Sequence, residues 1–320
     1  MVHVMINHSS VTTFILVGFS EYPHLQPPLF LMVMAIYSVT LVGNIGITVV
    51  RRINPKLHTP MYFFLSHLLF LDICYSSVFT PKLMEILVTE HRTISLKGCM
   101  AHFFFGCACV ITEMFMLAVM AYDRFVARHS STCNPLLFSV AMSHQLCVLL
   151  VAGSYVWGGL CAVILAHTLL ELSYCGPGII NHSGCEDSAI ISVSCSDSSF
   201  SQMACLVISI LSEGSSLLIT MASYVFIVIT IIKMPSKGGL QNAFSTCTSH
   251  LIAICIFHGI ILLLYCVPNA NSSRLLVKVA TVLYTVLIPM LNPLIYSLRN
   301  KDLKETVKRL ICTKLHSQSI

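Results

Sequence analysis

Charged residues are scarce in this chain of 320 residues. Asp, Glu, Lys and Arg make up 10% of the sequence, hydrophobic residues make up 56%, and the mean hydropathy is +0.84. A soluble domain carries about 25% charged residues. The composition therefore excludes an ordinary soluble protein and indicates a chain embedded in a membrane.

The sequence also lacks the short motifs of common enzyme classes. It has no HExxH metalloprotease motif, no GxSxG nucleophile motif and no glycine-rich phosphate loop. Its 14 histidines are scattered without the spacing of metal ligands. No basic and aromatic module typical of nucleic-acid binding is present. We therefore predict a protein without catalytic residues and without a nucleic-acid partner.

What the sequence does contain is a series of seven long apolar segments. Each reaches the roughly 20 residues that a helix needs to cross the hydrocarbon core, and lipid offers the backbone no other way to satisfy its hydrogen bonds. We predict an all-α, seven-transmembrane helix bundle over residues 27–299, with residues 1–26 as an N-terminal segment and residues 300–320 as a tail. The segments lie near residues 27–50, 61–82, 100–123, 144–168, 200–232, 242–266 and 276–297.

The basic residues predict that the N-terminus lies outside and the tail in the cytoplasm. In this orientation 13 of the 18 Lys and Arg residues fall on the cytoplasmic side, as the positive-inside rule requires. Three N-x-Ser sequons, at Asn7, Asn181 and Asn271, then all lie outside and are candidate glycosylation sites. In the tail, apolar residues recur at helical spacing beside basic ones, which predicts a short amphipathic helix on the inner membrane lipid.

Four of the 15 cysteines differ from the rest by their position. Cys99 lies at the outer end of the third span, and Cys175, Cys185 and Cys195 lie in the second outer loop. These four face an oxidising compartment, where disulfides persist. The remaining cysteines lie mostly in spans, where a thiol acts as a small hydrophobic group. Four cysteines allow three pairings, and the residues alone leave the choice open.

Two carboxylates, Asp72 and Glu113, lie inside the second and third spans. Such a group costs several kcal/mol unless it faces the bundle interior and finds a partner. At a rise of 1.5 Å per residue, Glu113 lies about 17 Å above Arg124, and Asp72 lies about 18 Å above Pro60. Two carboxylates at one depth repel unless one is protonated or a cation lies between them. A structural Na⁺ bound by Asp72, Glu113 and Asn292 is one hypothesis, and a proton shared by the two acids is the other.

Six motifs are spread over most of the chain: GN at 43–44, LHTPMYFFL at 57–65, MAYDR at 120–124, SY at 223–224, AFSTCTSH at 243–250 and PMLNPLIYSLRN at 289–300. Together they are similar to those of the olfactory receptors, a family of rhodopsin-like G-protein-coupled receptors. This resemblance implies a receptor in the plasma membrane of olfactory cilia. It would bind a small volatile odorant and activate a stimulatory heterotrimeric G protein of the cAMP pathway.

The resemblance also implies roles for individual residues. It pairs Cys99 with Cys185, and Cys175 with Cys195. Coupling to the G protein and switching are the implied roles of six residues near the cytoplasmic half: Asp123, Arg124, Tyr224, Asn292, Pro293 and Tyr296. Without the family, Asp123 and Arg124 are equally well read as a solvated helix end, and Pro293 as a static kink.

A ligand cavity is expected above the level of the two buried acids. A mostly apolar lining with a few hydrogen-bonding groups suits a small, neutral, volatile molecule. Gly106 stands where the amine-receptor relatives carry an acid, so the resemblance disfavours a cationic amine. For any single residue, ordinary helix packing is an equally good explanation. The candidate ligand-binding residues are Cys107, Val110, Ile111, His258, Ile261, Tyr265 and Thr285.

Three features depart from the family pattern or complicate it. His258 stands where the family usually has Tyr, and Glu213 is a third buried acid that either faces the pocket or, as we favour, bonds a neighbouring helix. Four extra residues lie within 128–132 and are expected to enter the loop that contacts the G protein. A receptor-like protein with impaired coupling is therefore one alternative. An ion-coupled transporter or channel that uses the buried acids is another, although the chain shows no related halves.

Overall fold

The computed structural model describes residues 12–89, 92–133, 142–232, 237–266 and 274–297. Seven long helices form the bundle, and each predicted span coincides with one of them, so the prediction of an all-α seven-helix bundle is confirmed. The predicted tail helix and the sequons at Asn7 and Asn271 lie outside the described residues. The helices are α1 (Gln26–Ile53), α2 (Pro60–Val88), α3 (Leu96–Cys133), α4 (His144–Leu170), α5 (Ser199–Ile232), α6 (Lys237–Cys266) and α7 (Arg274–Ser297).

The helices have the length and composition of membrane spans. Six of them contain an apolar stretch long enough to cross a bilayer, and α6 contributes a shorter apolar stretch, His250–Leu263, among its described residues. Large apolar side chains on the outer faces are exposed, such as Val42 on α1, Val156 on α4 and Leu218 on α5. Exposed apolar faces of this extent fit a surrounding of lipid tails rather than water.

A proline in α7 explains why α1 and α7 meet through an asparagine. Pro293 has no N–H, so the carbonyl of Pro289 one turn earlier lacks its helical donor. The side-chain Nδ2 of Asn44 donates to that carbonyl at 3.0 Å, and Asn44 is fully buried. Gly43 lets the proline ring approach, because a Cβ there would lie 3.3 Å from Cγ of Pro293. The GN and NP motifs are therefore two halves of one junction.

Helix α3 lies at the centre and packs against α2, α4 and α5. Its approach to α4 depends on Gly158, because a Cβ at this position would collide with the hydroxyl of Thr112 and lie 2.9 Å from the carbonyl of Ala108. The neighbouring Gly159 has open space around it. The buried side chains of Met116, Leu117 and Met120 anchor α3 in the main hydrophobic core.

A small three-stranded sheet, which the sequence did not predict, covers one end of the bundle. Its strands are β1 (Thr13–Leu16), β2 (Thr93–Ser95) and β3 (Ile179–Ile180), in the order β2-β1-β3. Phe14 and Leu16 of β1 are completely buried, and the Phe14 ring packs edge-to-face on Tyr174 at 5.3 Å. The three segments that the orientation prediction places outside therefore come together at one end.

Two disulfides fix the second outer loop beside this sheet. Cys99 at the start of α3 is bonded to Cys185, and Cys175 is bonded to Cys195 across 20 residues of the loop. A short helical turn, Asp187–Ile191, follows the first of these bridges. Asn181 in the same loop is half-buried, and its Oδ1 accepts a 2.7 Å hydrogen bond from Nζ of the buried Lys278.

The extra residues after Ala127 do not enter a loop, and that prediction was wrong. Helix α3 continues without a break to Cys133, so residues 128–132 form a further turn of helix. Four residues add about one turn, or about 6 Å, to a helix. The insertion therefore lengthens α3 at the end where the switch residues lie.

Candidate ligand cavity and switch residues

A cavity of about 180 Å³ lies between α2, α3, α4, α5 and the second outer loop. Three of the predicted ligand-binding residues on α3, Cys107, Val110 and Ile111, line it. Pockets for drug-sized ligands measure about 300–1,000 Å³. The cavity is therefore suited to a smaller molecule.

Aromatic side chains close the α2 side of the cavity. The Phe79 ring packs 4.8 Å from the ring of Tyr75 and 4.2 Å from the imidazole of His102. Gly106 makes this possible, because a Cβ at that position would collide with the Phe79 ring. At Gly106 the Phe79 ring is thus packed against bare backbone.

The second outer loop supplies two acids to the lining, Glu186 and Asp187, which the sequence analysis did not identify. Burial raises the pKa of Glu186 to about 7, with a smaller contribution from the Asp187 charge. Burial also raises the pKa of Asp187, whose Oδ1 accepts a hydrogen bond from the backbone N–H of Ser188 at 2.8 Å. Their position directly after Cys185 was the available signal, since the bridge to Cys99 holds these residues over α3.

Glu213 on α5 both lines the cavity and contacts a neighbouring helix. Its Oε1 lies 2.7 Å from Nδ1 of His258 on α6, and both side chains are buried. The two alternatives considered for Glu213 are thus both realised. His258, the departure from the family, and Glu213, the third buried acid, form one polar link between α5 and α6.

The other predicted ligand-binding residues with described side chains are His258, Ile261 and Thr285. All three are buried and none is among the residues that line this cavity, although His258 contacts the lining residue Glu213. Ile261 packs in the main hydrophobic core, and the Thr285 hydroxyl donates to the carbonyl of Thr281 at 2.8 Å. The Tyr265 side chain lies outside the described part of the chain.

The two acids of α2 and α3 converge on one amide, as the depth comparison predicted. Nδ2 of Asn292 on α7 lies 3.0 Å and 3.2 Å from the carboxylate oxygens of Asp72 and 3.2 Å from Oε1 of Glu113. Asp72 is completely buried and Glu113 is 3% exposed. The Asn292 amide therefore presents N–H donors to both carboxylates. The bound Na⁺ and the shared proton both stay predictions.

The predicted switch residues lie toward the other end of the bundle. Asp123 and Arg124 are buried near the end of α3 rather than solvated. Tyr224 on α5 hydrogen-bonds Nδ1 of the buried His250 on α6 at 2.8 Å. This gives α5 and α6 a second polar link below the one between Glu213 and His258. Of Tyr296, the structure describes only its place in α7.

Comparisons with known proteins show the family of this chain. A profile of the family described as "Olfactory receptor" matches residues 33–314. The chain is 72% identical over 313 residues to Olfactory receptor 1165 of Mus musculus, covering 98% of each chain. It is 58% identical over 310 residues to Olfactory receptor 5D18 of Homo sapiens, covering 97% of this chain and 98% of the relative. The chain belongs to the olfactory receptor family.

The fold of this olfactory receptor is similar to that of squid rhodopsin, whose crystal structure superposes with a TM-score of 0.71. The superposition covers 92% of this chain and 87% of rhodopsin at 15% sequence identity, which supports the fold alone. Together with the family match, it makes this olfactory receptor a multi-pass membrane protein and an odorant-binding G-protein-coupled receptor. The family is one of receptors rather than enzymes.

Proposed function

We propose that this olfactory receptor binds small volatile odorants in the cavity below the second outer loop. It then activates a stimulatory heterotrimeric G protein of the olfactory type and raises cAMP. The observation that carries the proposal is the cavity itself, whose lining comes from α2, α3, α4, α5 and the disulfide-bonded loop. A ligand there touches elements that a rearrangement of the bundle would shift relative to one another.

The two polar links between α5 and α6 support the switching part of the proposal. Glu213 lines the cavity and bonds His258, while Tyr224 bonds His250 nearer the coupling end. A ligand that competes for Glu213 weakens one of these links and thereby changes the relative stability of two packings of α6. The plasma membrane of olfactory cilia is the proposed location, and membrane lipid the surrounding partner.

The test is ligand-evoked cAMP in cells that carry the olfactory stimulatory G protein, with an odorant panel applied at matched surface expression. We expect a response that disappears when the G protein is withheld. Ion flux that persists without the G protein would instead support a transporter or channel that uses the buried acids.

The added turn of α3 makes impaired coupling the second candidate, because residues 128–132 extend the helix beside Arg124. Removing His129 to Thr132 restores the spacing of the family. A stronger cAMP response in the shortened variant than in the natural chain would show that the added turn hinders coupling. Equal responses would show that the G protein accommodates it.

For the cluster at Asp72, Glu113 and Asn292 we propose a bound Na⁺, with a shared proton as the rival. Both acids are buried and face one amide, so one positive charge between them relieves their repulsion. Bound Na⁺ would hold these three side chains together and favour one packing of α7. Raising Na⁺ should then lower odorant potency in the natural receptor but not in Asp72→Asn. Potency independent of Na⁺ in both would favour the shared proton.

A further inference from the structure

Three carboxylates line the ligand cavity of a protein that is basic overall. Glu186 and Asp187 come from the second outer loop, and Glu213 comes from α5. Among the described residues, the lining of this cavity includes no lysine or arginine, although the chain has a formal net charge of +5. The cavity therefore carries three acidic side chains on otherwise largely apolar walls.

Glu213 has a hydrogen-bonding capacity that the described residues do not use. Its Oε1 is bonded to His258, whereas its Oε2 has no hydrogen-bond partner among them. The side chain is only 10% exposed, so bulk water does not satisfy this oxygen. A buried acceptor without a partner costs free energy unless a donor is supplied. Glu213 lines the cavity, so a ligand that reaches its carboxylate can supply a donor.

The two loop acids favour the same kind of ligand. They are adjacent in sequence, and burial raises the pKa of each above its ordinary value, with the Asp187 charge adding to the effect on Glu186. A positive charge in the cavity opposes this effect, since an opposite charge stabilises the ionised carboxylates. An anionic ligand would meet three acids and no lysine or arginine among the described residues of the lining.

We propose that this receptor recognises small primary alkylamines, bound as alkylammonium ions. This inference rests on the proposed function. Glu213 and Asp187 accept hydrogen bonds from the ammonium group, and the alkyl chain packs against Phe79, Val110 and Ile111. Small alkylamines are volatile as free bases and cationic in neutral water. The absence of an acid at Gly106 does not oppose this class, because the acids come from α5 and the outer loop instead.

An ammonium ion fits this lining better than an alcohol of the same length. It offers three donors whereas a hydroxyl offers one, and charge-assisted hydrogen bonds are roughly twice as strong as neutral ones. Amine and alcohol with the same carbon chain bury the same apolar area. Their difference in affinity therefore reports the interaction of the ammonium group with the acids, net of its greater cost of dehydration.

The experiment measures binding directly, so that it does not depend on coupling. Purified full-length receptor in lipid nanodiscs is melted in the presence of propylamine through heptylamine, and of the alcohols with the same chains. Ligands that bind the folded state raise the melting temperature. We expect at least one amine to bind roughly tenfold more tightly than its alcohol. We expect Glu213→Gln and Asp187→Asn each to weaken amine binding roughly tenfold and to weaken alcohol binding by a smaller factor, because a neutral hydroxyl loses no charge-assisted bond.

The matched control is Glu171→Gln, which neutralises an exposed acid at the start of the same loop outside the cavity. It should leave amine binding unchanged. Asp187→Asn changes a loop residue rather than the bundle, so it keeps the comparison measurable if Glu213→Gln folds poorly.

Two results would overturn the amine assignment. One is that no amine stabilises the receptor more than its alcohol, and the other is that amine binding survives both cavity substitutions. Either would leave the proposed function standing if a neutral odorant evokes cAMP. If amines bind as expected but no ligand evokes cAMP through the stimulatory G protein, the proposed coupling fails and the amine assignment stands.

Discussion

At the residue scale, the clearest constraint is the burial of acids in a chain that has few of them. Asp72, Glu113, Glu213 and Asp123 are all buried, and each needs a partner or a proton to remain there. The first two share Asn292, and Glu213 bonds His258. The few charges that the sequence places in membrane spans are thus gathered at contacts between helices.

The contribution of the Glu213–His258 pair to stability can be tested by replacing one of the two residues and then both. His258→Phe leaves a buried carboxylate without its main partner and should cost about 1–3 kcal/mol of stability. The double variant Glu213→Met with His258→Phe replaces both polar groups and should be more stable than His258→Phe alone. Thermal melting of purified receptor measures this. A double variant less stable than the single one would show that the pair is not coupled.

The raised pKa of Glu186 predicts that the stability of the receptor depends on pH. Its pKa rises from 4.5 to about 7 on folding because of burial, so the folded state binds the proton more tightly than the unfolded state. Ionisation therefore lowers stability progressively as pH rises from about 4.5 through 7. Two titratable side chains face Glu186. One is Asp187, and the other is His182, whose Nδ1 lies 3.7 Å from Oε2 of Glu186. Glu186→Gln removes the cost and should raise the melting temperature by a few degrees at pH 8 but not at pH 4.

The control for this measurement is Glu171→Gln, which should leave melting unchanged at both pH values because the side chain is exposed. A gain from Glu186→Gln of the same size at pH 4 and pH 8 would contradict the assignment, since it would not follow ionisation.

At the element scale, the sequence predicted the helices well and the outer end poorly. Runs of apolar residues long enough to span lipid leave the backbone no alternative to a helix, so all seven were found. The strands β1, β2 and β3 have four, three and two residues. They exist only because distant segments pair with one another, and no local pattern of two to four residues indicates such pairing.

The extra turn of α3 illustrates the same limit. The length of the insertion can be read from the sequence, but its conformation cannot. The family pattern led us to expect it in a loop. In the structure the residues continue the helix to Cys133, because adding a turn to an existing helix avoids the cost of starting a new one.

The contact between α3 and α4 gives a prediction with a matched control. Gly158→Ala places a Cβ against Thr112 and the carbonyl of Ala108, and should cost about 1–3 kcal/mol through overpacking. Gly159→Ala, one residue further on the same helix, meets no atom within 4 Å and should cost nothing, because alanine also has the higher helix propensity. Melting temperature and surface expression are the measurements. Equal changes from both substitutions would show that the close approach of α3 to Gly158 does not set the cost.

At the scale of the whole molecule, the cavity combines elements that are far apart in the chain. The lining on α3 could be predicted from the sequence, because regular helix geometry gives the depth of each residue. Glu186 and Asp187 could not, because the path of a loop depends on the disulfide that holds it. His258, Ile261 and Thr285 are not among the lining residues, since depth alone does not determine which face of a helix meets the cavity, and their role in ligand binding stays a prediction.

The most direct test of the central claim is to fill the cavity. Val110→Trp puts a large ring into the lining, whereas Leu149→Trp puts the same ring on the exposed outer face of α4. Both are compared with the natural receptor by cAMP evoked by the most effective ligand of the panel, at matched surface expression. We predict that Val110→Trp abolishes the response and that Leu149→Trp preserves it. A full response from Val110→Trp would contradict the claim that ligands act from this cavity.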